Sequence, residues 1–115
     1  MYDIKPQVKG MLESIPDVKK VSDAWPPDWK DLPQITFFEQ YNSDHLKKGI
    51  LSEIVIQIDI WHNRSTGAIA QQVEAKMASI GFKREFASDV PDKAVKHKTM
   101  RYRGIVDARD LKVYQ

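Results

Sequence analysis

The chain has 115 residues, no cysteine, 42% hydrophobic and 30% charged residues, and a formal net charge of +2. That length suits a single domain, 1–115, able to bury about two-thirds of its unfolded surface without covalent staples. The missing cysteines exclude disulfides, thiolate zinc sites, iron–sulfur clusters and cysteine nucleophiles. No apolar run reaches the roughly 20 residues of a membrane-spanning helix, and the N-terminus has no signal-like apolar segment, so a soluble protein of a reducing compartment is expected.

The first segment predicts a helix, because Ile4, Val8, Met11 or Leu12, and Ile15 recur at steps of three and four. Asp3 is placed to cap it, Pro6 suits its first turn, and Pro16 ends it. A short strand follows at Val18 to Val21. Residues 23–33 then hold three prolines, which rules out a helix interior or a central strand. This loop carries Trp25 and Trp29, either as a contact surface or as a cover for one end of the core.

Residues 34–41 predict a strand with Ile35, Phe37, Glu39 and Tyr41 on one face and Thr36, Phe38 and Gln40 on the other. Asn42, Ser43 and Asp44 mark a turn, and a polar loop through Gly49 follows. The strongest signal is the run 53–61, where Ile54, Ile56, Ile58 and Ile60 alternate with Glu53, Val55, Gln57, Asp59 and Trp61. Period 2 with β-branched residues throughout makes one face deep core and leaves the mixed face to solvent or a partner subunit.

Ser65 or Thr66 supplies a hydroxyl cap for a second helix, whose apolar stripe is Ile69, Val73, Met77 and Ile80. Gly81 suits the left-handed residue that ends it. A short strand is expected at Phe82 to Phe86 and a turn at Ser88 to Lys93. The last long strand runs from about Val95 to Asp107, with Met100, Tyr102, Gly104 and Val106 on one face and Thr99, Arg101, Arg103 and Ile105 on the other. The tail 108–115 is either flexible or an edge strand lent to a neighbour. The order α-β-β-β-α-β-β predicts an α+β fold, an antiparallel sheet of four to five strands flanked by two helices.

Catalytic chemistry has little support. His45, His62 and His97 lie far apart, with no helical metal-site spacing. A hydrogen bond between His62 and Asp59, close in sequence, would be local structure. The stretch around Ser65 is no nucleophile elbow, and the five glycines are too scattered for a phosphate loop. No enzyme, cofactor or metal is expected.

Charge is uneven: residues 83–115 hold 9 Lys and Arg against 5 Asp and Glu, whereas residues 1–82 hold 9 against 11. A basic C-terminal third favours phosphate backbones or an acidic protein surface, or is simply a solvated strand pair. A small nucleic-acid-binding module using Lys96, His97, Lys98, Arg101, Tyr102 and Arg103 is therefore the alternative function. Strand alternation turns Tyr102 away from the arginines, which favours core packing for the ring and solvation for Arg101 and Arg103.

Residues 54–62, Ile-Val-Ile-Gln-Ile-Asp-Ile-Trp-His, with the polar turn and helix from Thr66 to Ile80 behind them, resemble a known family. They are similar to the small tail-completion proteins of long-tailed bacteriophages, the tail terminator or head–tail joining family. The strand Leu32 to Glu39 and the final strand 101–107 match in order and spacing, with Asp59 and Trp61 the most distinctive points. The resemblance covers nearly the whole chain through motifs of hydrophobic pattern. The loop from Trp25 to Trp29 departs from it by being more aromatic.

What the resemblance implies is a structural protein, probed by no substrate, that assembles as a ring, typically a hexamer, on the end of the tail tube. Such a ring stops tube polymerisation and docks to the head. Its partners would be other copies of itself, the tail tube protein and the head completion or connector protein, with DNA only as passing cargo and no membrane. Its place would be the virion head–tail junction, after assembly in the cytoplasm of the bacterial host. Expected oligomer or partner contacts are Trp25, Trp29, Lys47, Lys48, Arg101 and Arg103.

Overall fold

A computed structural model describes residues 2–25, 29–44, 50–110 and 112–114. Its elements are α1 (Lys5–Glu13), β1 (Lys20–Ser22), β2 (Gln34–Asp44), β3 (Leu51–His62), α2 (Gly67–Ser79), β4 (Lys83–Val90), β5 (Lys96–Asp107) and β6 (Val113–Tyr114). The fold is α+β, and the expected order α-β-β-β-α-β-β is observed with the two-residue β6 added. The sheet runs β1-β2-β3-β5-β4, and β6 continues the edge beside β5. It is mixed, because β1 joins β2 in parallel while the other pairs are antiparallel.

Both helices cover one face of this sheet. Val8 and Leu12 of α1 and Ile69, Val73 and Met77 of α2 pack on Ile35, Phe37, the four alternating isoleucines of β3, Met100 and Tyr102. Ile54, Ile56, Ile58 and Ile60 are all fully buried, as their alternation requires. Asp3 Oδ1 accepts the Lys5 amide at 3.2 Å, although the residue flanking α1 is Ile4. Gly81 takes φ +95° beyond α2, the left-handed geometry expected of it.

Five expectations change. The short strand lies at Lys20–Ser22, not Val18 to Val21, and β2 continues through the residues read as a turn. A bulge at Gln40 makes Glu39 oppose Ile56 and Tyr41 oppose Val55, so Tyr41 moves to the face opposite Ile35 and Phe37. β4 likewise runs to Val90 through part of the expected turn, with a bulge at Glu85. The tail folds back on its own chain: Val113 opposes Val106 and Tyr114 opposes Ile105. Gly104 permits this, since a Cβ there would stand 2.5 Å from Val113 Cγ1 and 2.9 Å from the Phe82 ring.

Candidate functional site

The helices leave the other sheet face free, and the register of β3 against β5 decides what meets on it. Asp59 opposes Thr99, Trp61 opposes His97, Gln57 opposes Arg101 and Val55 opposes Arg103. At about 3.4 Å per residue along a strand, His97 and Arg103 stand roughly 20 Å apart. The face therefore has an aromatic end and an ionic end.

At the aromatic end, Asp59 is 1% exposed and accepts three hydrogen bonds. His97 Nε2 donates to Oδ1 at 2.7 Å, the Thr99 hydroxyl donates to the same oxygen, and Gln57 Nε2 donates to Oδ2 at 3.1 Å. A carboxylate only accepts, so the proton of this contact sits on His97 Nε2. The imidazole is thus held in one orientation, and Trp61 stacks on it with ring centroids 3.7 Å apart and planes 16° apart. The Trp61 indole N–H donates to Thr36 Oγ1 at 3.0 Å across to β2.

Trp25 and Trp29 close over this base. Trp25 meets Trp61 edge-on at 5.0 Å, and Trp29 lies 5.4 Å from Trp61 at an interplanar angle of 29°. Leu32 and Val95 complete the packing around the buried Trp61. Trp25 nevertheless remains 59% exposed and Trp29 41% exposed. A rigid polar base thus carries a plate of two partly open indoles, a geometry suited to contact.

At the ionic end, Arg103 Nη1 lies 2.9 Å from Glu53 Oε1, and its Nε lies 2.7 Å from Glu85 Oε1. Arg101 Nε is 3.8 Å from Glu85 Oε2, and its guanidinium sits 5.2 Å over the Phe86 ring. Both arginines were expected to be solvated; they are partly exposed and ion-paired within the chain. Tyr102, between them, points into the core, where its hydroxyl donates to Glu74 Oε2 at 2.6 Å. Burial, and then that hydrogen bond, push its phenol far above the usual range. The ring is therefore not available on the open face to stack a base.

Of the six contact residues expected from sequence, Trp25 and Trp29 come together on Trp61, and Arg101 and Arg103 stand at the other end. Lys47 and Lys48 lie outside the described residues, as does His45. The sequence reading missed the pairing of Asp59 with His97. The local hydrogen bond considered between His62 and Asp59 is not formed, because β3 extends through His62 and residues three apart on a strand face opposite ways. His62 Nδ1 instead accepts the Arg64 amide at 2.9 Å. A register drawn between the two long strands is the signal that could have found the pair.

No model of a known protein family matches the chain, and no curated protein matches it.

Proposed function

We propose that this chain is the ring-forming subunit that caps the tail tube of a long-tailed bacteriophage or prophage, ends its polymerisation and forms the head–tail joining surface. The observation that carries this reading is the sheet face that the helices leave free, whose aromatic end offers two half-open tryptophans on a rigid base. Tryptophan and tyrosine are concentrated at protein interfaces because they bury much area at small entropy cost. Phe38, Tyr41 and Phe86 are also exposed and extend the apolar part of this face. The resemblance of residues 54–80 to the tail-completion family supplies the class of assembly. Head-to-tail contacts between copies of one chain give a ring when the rotation between neighbours closes, and an open filament when it does not.

Light scattering from micromolar to near-millimolar protein tests the proposal. The expected result is a discrete hexamer-sized species, alone or on added tail tubes. The Trp25→Ala, Trp29→Ala double variant should stay monomeric, lose tube capping and still unfold cooperatively. A monomer at every concentration that also fails to cap isolated tubes overturns the reading. Indole substitutions that unfold the monomer would make both tryptophans part of the core instead of contacts.

A further inference from the structure

We infer that the outer edge of β4 is an interface at which a second copy of this chain adds its own β4, antiparallel, to make one continuous sheet. This contact does not rest on the tail-capping reading. β4 ends the sheet order, and among the described residues no strand lies along its outer side. The strand has eight residues, all exposed except the half-buried Ser88. An edge of that length presents a row of backbone donors and acceptors, which is a template for another strand. The opposite edge is unlike it: β1 is only Lys20, Val21 and Ser22, without a carboxylate.

The charges along β4 select the strand that fits. Lys83 and Arg84 stand at its start and Asp89 near its end. A parallel copy would set like charges side by side, whereas an antiparallel copy sets opposite charges together. The ladder with β5 makes the register specific. It runs from Lys83 opposite Arg103 to Val90 opposite His97, skips Glu85 at the bulge, and has Ala87 opposite Met100 at its midpoint. Pairing the whole strand with its copy therefore places Ala87 on the two-fold axis. Arg84 then meets Asp89 of the other copy, Phe86 meets Ser88, and Lys83 meets Val90.

The faces agree with that register. Arg84, Ala87 and Asp89 oppose Tyr102, Met100 and Lys98 on the helix-covered face of the sheet. Lys83, Phe86, Ser88 and Val90 oppose Arg103, Arg101, Thr99 and His97 on the free face. Each pair across the axis thus joins residues of one face, as antiparallel pairing requires. Arg84 is held only loosely within its own chain, 3.8 Å from Glu74, and the Asp89 side chain is 80% exposed beside Lys98. Ala87 offers only a methyl group where the copies approach. Two-fold symmetry doubles the Arg84–Asp89 contact. It also makes the two exposed Phe86 rings diagonal neighbours, with backbones about 7–8 Å apart.

Cross-linking and solution mass test the interface, in a chain that has no cysteine of its own. Residues directly opposed across antiparallel strands have Cα atoms about 4.5–5.5 Å apart, inside the disulfide range of about 4.4–6.8 Å. Ala87→Cys should therefore give a covalent dimer under a mild copper oxidant, and Lys93→Cys, exposed beyond the strand, should not. Sedimentation equilibrium up to near-millimolar protein should show a dimer, or a larger species built from dimers. Arg84→Asp or Asp89→Arg alone should weaken it about tenfold, since each turns two attractive contacts repulsive. The double variant regenerates both contacts and should regain most of the affinity, with unfolding midpoints checking that each chain folds. A protein that stays monomeric, Ala87→Cys cross-linking no faster than Lys93→Cys, or an affinity unmoved by the charge variants overturns the inference. A hexamer whose Ala87→Cys variant does not cross-link overturns it and leaves the ring standing; a cross-linking dimer that caps no tube does the reverse.

Discussion

The two ends of the open sheet face are built on the same pair of strands and behave as different materials. At the aromatic end, Asp59, His97 and Trp61 are buried and each is held by defined contacts. At the ionic end, Arg103 and its partners Glu53 and Glu85 are long, partly solvated side chains. The difference comes from what covers them. Trp25 and Trp29 lie over one end, and among the described residues no helix crosses the other. Dehydrated polar groups must be fully satisfied, so the buried base of Asp59, His97 and Trp61 tolerates almost no change. Solvated ion pairs exchange partners with water at little cost, so the open end is adaptable. A rigid aromatic plate beside an adjustable charged patch suits a surface that packs on a neighbour and then tunes its fit.

Asp59→Ala should break this contrast most strongly. It leaves His97, Thr99 and Gln57 without their shared acceptor and should cost about 3–5 kcal/mol, as breaking buried pairs does. A urea midpoint far below wild type, with a shifted tryptophan emission, is the expected reading; a loss near that of a surface residue would dissolve the distinction.

Tyr102→Phe tests the inward side of the strand that bears the ionic end. Removing the hydroxyl bond to Glu74 should cost about 1 kcal/mol. The phenol titrates higher in the folded chain than its unfolded value near 10, so its contribution is complete below about pH 10 and declines as pH rises beyond it. Wild-type stability should therefore fall through that alkaline range more steeply than that of the variant. Parallel pH profiles would show that the buried phenol does not govern the decline.

Arg103→Ala should have the smallest effect, less than about 1 kcal/mol, and it should vanish at high salt. A larger, salt-resistant loss would mean that the ionic end is as tightly determined as the aromatic one.

Local pattern made much of the fold legible. The four alternating isoleucines of β3, the stripe Ile69, Val73 and Met77, and the inward positions Met100 and Tyr102 lie where their spacing placed them. Errors gathered where one residue changes the count along a strand. The extra residue Gln40 turns Tyr41 outward, and no propensity distinguishes a bulge from a continued alternation. For the tail, sequence leaves a free segment and an edge strand for a neighbour both open, because the two-residue β6 is too short to show a period. Gly104, opposite Phe82 and Val113, made the docking possible, but a lone glycine in a strand has several uses. At the candidate contact surface, the two loop tryptophans stood out at once through size and surroundings. Their base did not, since Asp59 and His97 are 38 residues apart and meet only through strand register.

By itself the sequence determined the two helices, the deep-core strand and the α+β class, because helical and strand periods are written in neighbouring residues. Tertiary structure alone decided the parallel seat of β1, the bulges, the docked tail and the union of Asp59, His97 and Trp61. Those features depend on which backbone lies beside which, and that follows from hydrogen-bond register and shared burial across the whole chain.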